Sequence, residues 1–291
     1  MSAAGHLLLA PFLDFAFMRR ALVACLALAL GAGPVGVLLV LRRMSLVGDA
    51  MSHAVLPGVA AGFLIAGLSL PAMSLGGFAV GLVVVLAAGF VTRTTLLRED
   101  ASFAGFYVLS LATGVLVVSA RGSSLDLMHL LFGSVLAVDE AGLVLIAAIA
   151  TATLLTLAVI YRPLLIELFD PGFLKAAGGR GALYYTLFLV LIVLNLVAGF
   201  QALGTLMAVG LMILPAVAAR FWAESVWSMA AASAGIALFA GYAGLLLSFH
   251  AGLPSGPCIV LVAGLAWLVS LFLGRRGSLR RRFLVRAHLE A

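Results

Sequence analysis

The sequence predicts an all-α, polytopic membrane protein, and three observations carry that prediction. Of 291 residues, 65% are hydrophobic and only 10% are charged, with a mean hydropathy of +1.26, whereas a soluble domain carries about 25% charged residues. The apolar residues gather in runs of about 20, the length an α-helix needs to cross a bilayer. The basic residues fall in short clusters between those runs. A soluble fold of this size would expose more surface than so few polar groups can cover. That excludes an ordinary soluble enzyme, a disordered chain and a fibrous repeat.

Taken in order, residues 6–18 are apolar, with Phe12, Phe15 and Phe17, and fit a helix lying in the outer interface (the segment 1–18). They lack a basic start and carry Asp14, so they do not read as a cleavable secretory signal. Spans follow at roughly 20–41, 46–69, 73–92, 102–120, 141–161, 182–199, 203–219, 226–249 and 257–274. Only Phe200, Gln201 and Ala202 separate the sixth from the seventh, so the nine spans become eight if these two are not independent. Pro34, Pro57 and Pro215 lie inside spans, where each removes one intrahelical hydrogen bond. Glycine is abundant, at 32 residues, and recurs at close spacing within spans, as at Gly58 and Gly62; close helix packing in lipid uses such positions.

Orientation follows from the basic residues. With the N-terminus outside, inner loops carry Arg42 and Arg43, then Arg93 and Arg98, then Arg162, Lys175 and Arg180, then Arg220, then the basic tail 275–291. Arg19, Arg20 and Arg121 are exceptions. The stretch from Leu125 to Val138 is too short to span and fits a re-entrant or interfacial helix on the outer side. Residues 162–181 read as an inner loop with a short amphipathic helix, capped by Asp170 before Pro171 and ended by Gly178 and Gly179. Such a helix suits docking to a partner or lying on the lipid surface. Cys25 and Cys258 both sit in apolar runs, which indicates neither a disulfide framework nor a thiolate metal site.

Ionisable residues inside spans are costly, and by default they mark function. The clearest pair is Asp49 and His53 in the second span. Their spacing of four puts carboxylate and imidazole on one helical face, a turn apart. Three readings fit: two ligands for a divalent cation, zinc or manganese, with the rest from other helices, a symmetry mate or water; a mutually neutralising hydrogen bond; or a proton relay. Asp126 and His129, spaced by three in the outer segment, and His250, at the outer end of the eighth span, are weaker metal candidates. Asn195 and Gln201 read as bridges between helices, Glu224 as part of an interfacial belt with Trp222 and Trp227, and Glu99 with Asp100 as a solvated cap. A phosphate-binding loop needs a lysine followed by serine or threonine. The only lysine, Lys175, precedes Ala176, so any ATP hydrolysis belongs to another chain, and this one is not expected to be an enzyme.

The stretch from Leu41 to Gly58 resembles the signature of the permease subunits of zinc/manganese ABC importers, the ZnuB-like family. Further similar stretches are Asp126–Ser134, Phe169–Gly178, Met212–Ala216 and Leu253–Gly256, in this order over nearly the whole chain. The resemblance implies a homodimeric or pseudo-dimeric core in a bacterial inner membrane, with cytoplasmic ATPase subunits and a periplasmic or surface-anchored binding protein. It implies that Asp49 and His53 lie on the metal path. It also implies that Phe169, Asp170, Pro171, Phe173, Leu174, Lys175 and Gly178 form the coupling segment seated in the ATPase. No cofactor is expected to stay bound, and no nucleic-acid partner; the ion is cargo, with zinc favoured over manganese. The competing functions are a permease for a metal chelate, whose path would be lined by apolar and neutral groups, and a proton-coupled carrier, for which an inverted repeat is expected and is not visible in the sequence.

Overall fold

The computed structural model describes residues 3–67, 69–120 and 135–280. The chain runs through α1 (Ala3–Asp14), α2 (Ala16–Leu41), α3 (Ser45–Ala66), α4 (Leu70–Thr94), α5 (Glu99–Ala120), a 3-10 turn (Val135–Ala137), α6 (Glu140–Phe169), α7 (Pro171–Ala176), α8 (Gly181–Leu203), α9 (Thr205–Ala219), α10 (Val226–Ala251) and α11 (Ser255–Leu273). All regular structure among the described residues is helical. Seven helices there are long and apolar enough to cross a bilayer: α2, α3, α4, α6, α8, α10 and α11. The other two expected spans coincide with α5 and α9. At 15 residues, α9 is about 22 Å long, shorter than a hydrocarbon core of about 30 Å. Of the expected outer re-entrant segment, only the end is described: Val135 is fully buried, and Asp139 caps α6 by accepting from the Gly142 amide at 2.7 Å.

Two boundaries differ from the sequence reading. The sixth and seventh expected spans are separate helices, but the chain turns at Gly204 (φ +84°), not at Phe200–Ala202. Glycine takes that left-handed conformation without a Cβ penalty, and beside the turn Gly199 presses against Ala208. The helix expected to end at Tyr161 continues to Phe169, through Pro163. Its extra two turns are held because Leu164, Glu167 and Leu168 are buried there.

Small residues set the packing. Gly58 and Gly62 of α3 lie directly against Gly76 and Ala72 of α4, where a Cβ would run into the opposing carbonyls. On the other side of α3, Gly114 of α5 packs on Pro57, and Ser110 donates to the Ala54 carbonyl at 3.0 Å. Gly36 of α2 meets the Met212 carbonyl of α9. Asn195 of α8, nearly buried, donates to Thr153 of α6 at 2.8 Å and to the Leu191 carbonyl at 2.9 Å, so it bridges helices as read.

The five connections expected on the inner side meet at one end of the bundle. Arg42 and Arg93 reach Glu99 and Glu167, Val40, Leu41, Ala223 and Val226 all pack against the buried Val37, Ala216 and Met229, and Arg276 pairs with Glu224. Glu224, expected in an interfacial belt, is ion-paired, and Trp222 donates to Ser270 at 2.8 Å. The α3–α4 crossing makes a direct test possible. Gly58→Val should cost about 2 kcal/mol or more through overpacking and lower the thermal midpoint in detergent. Gly105→Ala, which meets nothing within 4 Å, should leave the midpoint unchanged or raise it.

Candidate metal path and coupling segment

Asp49 lies one turn, and His53 two turns, inside the start of α3 at the arginine-rich end of the bundle. The imidazole Nε2 stands 3.9 Å from the Asp49 Oδ1, too far for a hydrogen bond. The Asp49 side chain is 61% exposed and that of His53 27%. The mutually locked pair, one of the three sequence readings, is thus not what the geometry displays. Around them, Ser52 turns inward to its own helix, donating to the Asp49 carbonyl at 2.8 Å. Pro57 has no N–H to offer the His53 carbonyl. The Tyr107 ring of α5 stands 6.2 Å from the imidazole.

Asp49 opens onto a groove of about 420 Å³ between α3 and α5, whose walls include Leu46, Ala50, Phe103 and Tyr107, and also Asp100. Sequence reasoning left Asp100 as a solvated cap; no local spacing connects it to Asp49, because only the α3–α5 packing does. Among the described residues no group of three His, Cys, Asp or Glu side chains comes together to hold an ion. Asp49 and His53 therefore stand as a pair, with no third such side chain grouped with them among the described residues. His250 lies in the last turn of α10, edge-on to Phe249 at 5.4 Å, and does not join them. Asp126 and His129 lie outside the described residues.

The short helix expected after Asp170 forms, with the cap and the glycine end that the sequence predicts. Asp170 Oδ1 accepts from the Phe173 amide at 2.9 Å, Pro171 occupies the first helical turn, and the six-residue α7 ends before Gly178 (φ +74°). Phe169 and Phe173 are each 60% exposed, and Lys175 is exposed beside them. Leu174 is buried against Gly179 and so fastens α7 to its own chain. Directly before α7 stands a group that sequence reasoning missed. Glu167, 4% exposed, accepts from Arg93 at 2.6 Å, and Gly181 leaves room for its carboxylate. Arg42 donates to Glu99 at 2.6 Å, so Glu99 is half-buried and paired, not a solvated cap. These partners lie 57 and 74 positions apart in the chain, beyond any periodic pattern.

A model of the family described as the ABC 3 transport family matches residues 14–274. The chain belongs to that family. The motifs quoted from the sequence had pointed to permeases of this kind, and the match extends over most of the chain. It is a multi-pass membrane permease subunit, not an enzyme, and carries no phosphate-binding loop of its own. Among curated relatives, it is 34% identical over 260 residues to the manganese import system permease protein ScaB of Streptococcus parasanguinis, covering 89% of this chain and 91% of that one. It is 31% identical over 272 residues to the manganese transport system membrane protein MntC of Halalkalibacterium halodurans, covering 93% and 92%. Among solved structures, PsaBC from Streptococcus pneumoniae in complex with Fab superposes with a TM-score of 0.81 at 32% identity, covering 96% of this chain and 98% of that one.

Because the Asp49–His53 contact is not a hydrogen bond, Asp49→Asn and His53→Gln should each shift unfolding stability by no more than about 0.5 kcal/mol. Thermal unfolding of the purified permease reads this, and a loss of about 3 kcal/mol would instead mark a structural ion pair. Asp170→Ala should weaken α7 by about 1 kcal/mol, seen as faster amide exchange at Phe173 and Leu174 with the spans unaffected.

Proposed function

We propose that the chain is the membrane permease of an ATP-driven importer of a divalent transition metal, manganese in preference to zinc, with Asp49 and His53 on the ion's path. The observation that carries this reading is a carboxylate and an imidazole a turn apart in one candidate span, with no hydrogen bond between them and the carboxylate open to a groove. The motif does not separate zinc from manganese, and the expected preference for zinc gives way to manganese on the names of ScaB and MntC. The chemistry agrees, because manganese prefers oxygen ligands and the groove offers carboxylates from Asp49 and Asp100. A second copy of the chain or water supplies the remaining ligands. A two-residue contribution suits cargo, since a tight cage would not release it.

In this reading a separate binding protein delivers the ion at the outer face. A cytoplasmic ATPase docks on the exposed Phe169, Phe173 and Lys175 of α7, and its cycle alternates access to Asp49 and His53. The Asp–His pair speaks against a bulky metal chelate as cargo.

Uptake of radiolabelled manganese into cells carrying the whole importer tests the reading. Asp49→Ala and His53→Ala should each bring uptake to background with normal amounts of protein in the membrane, and manganese should compete better than zinc. Undiminished uptake by both variants would remove the pair from the path, and competition by zinc alone would reverse the choice of metal.

A further inference from the structure

We propose that Arg42 and Glu167, with Arg93, Glu99 and Tyr185, form the linkage that carries displacement of α7 to the end of α3 bearing Asp49 and His53. This rests on the reading of α7 as the ATPase-docking helix.

The chain leaves no slack between α6 and α7: a single residue, Asp170, separates them. Any shift of α7 is therefore imposed on the last turn of α6. The final carbonyls of a helix lack intrahelical donors. Here Arg42 Nη1 supplies one, standing 3.4 Å from the Glu167 carbonyl and 3.3 Å from that of Leu168. The Glu167 side chain is held at the same place by Arg93 of α4. The other arm of Arg42 reaches Glu99 at the start of α5, and the Tyr185 hydroxyl of α8 donates to the same Glu99 oxygen at 3.3 Å. The Tyr185 ring lies against both guanidinium groups, 5.1 Å from Arg42 and 4.7 Å from Arg93.

Arg42 also closes α2, and only Arg43 and Met44 separate it from α3. Arg43 holds φ at +62°, the one described residue other than glycine with a positive value, and Met44 is buried. A left-handed conformation at a side-chain-bearing residue persists where its surroundings impose it. The bonds of Arg42 to the α6 end are such an imposition. One guanidinium thus ties the α6–α7 junction to the corner that sets where α3 begins and to the helix that forms the opposite wall of the Asp49 groove.

Apolar packing alone would let these elements slide; charge-assisted bonds fix direction and register. Such ion pairs add little net stability compared with an apolar replacement; what they add beyond packing is a fixed connection between the elements they join.

The test uses the full importer, permease with its ATPase and binding protein, in proteoliposomes, reading manganese imported per ATP hydrolysed and retention of the ATPase on purification. Arg42→Gln and Glu167→Gln should keep the ATPase bound and hydrolysing while manganese per ATP falls about tenfold, the size of an ordinary coupling between sites. Tyr185→Phe and Glu99→Gln, which leave most of the packing in place, should show a smaller fall in the same ratio. An unchanged ratio in Arg42→Gln and Glu167→Gln overturns the proposal. So does loss of the ATPase from those variants, which would make the network part of docking. If those two do not accumulate in the membrane, an unchanged ratio in the milder pair overturns it. Phe173→Ala separates the underlying reading: it should lose the ATPase, and retention there would refute docking through α7 whatever the network variants show.

Discussion

A charge held among apolar helices needs a partner, because hydrocarbon offers neither water nor a counter-ion. Most of the structure can be understood from how this chain meets that requirement. At the arginine-rich end, Glu167 is nearly excluded from solvent and is matched by Arg93, and Glu99 is matched by Arg42. These two pairs join α2, α4, α5 and α6, elements far apart in sequence, at one end of the bundle. Asp49 and His53, one and two turns above the start of α3, are treated differently: they are close but not hydrogen-bonded to each other, and Asp49 opens onto a groove. The first arrangement holds protein to protein. The second leaves carboxylate and imidazole uncommitted to each other, which is what the proposed transient cargo requires.

Helix α3 can present those side chains because its other faces are fixed by small residues. Gly58 and Gly62 let α4 approach to backbone contact, and Gly114 lets α5 sit on Pro57. The same α5 then supplies Phe103, Tyr107 and Asp100 to the groove. The same helix pair, α3 and α5, thus packs closely at Pro57 and Gly114 and lines an open groove nearer the charged end.

Much of this was legible in the residues. Apolar runs located every expected span on a helix, and the motif from Asp170 to Gly178 located α7 with its cap and its glycine end, because spans and caps are local and periodic. The Asp49–His53 pair was legible for the same reason: a spacing of four is a statement about one helix. What escaped was non-local. Nothing near Glu167 announces Arg93, and nothing near Asp100 announces Asp49, since those meetings depend on how distant helices cross. The boundary at Gly204 escaped for a different reason: polarity at Gln201 is no breaker, and the backbone turns at the residue without a Cβ. The continuation of α6 past Pro163 escaped because burial of Leu164, Glu167 and Leu168 outweighed a local breaker.

The central claim is that the transported dication touches Asp49 and His53. The most direct measurement is pulsed electron paramagnetic resonance of manganese trapped in the assembled importer, which reports the nuclei bonded to the metal. The account predicts a nitrogen coupling from imidazole that disappears in His53→Gln. A manganese ion surrounded only by water oxygens, or a nitrogen coupling that survives in His53→Gln, would contradict it.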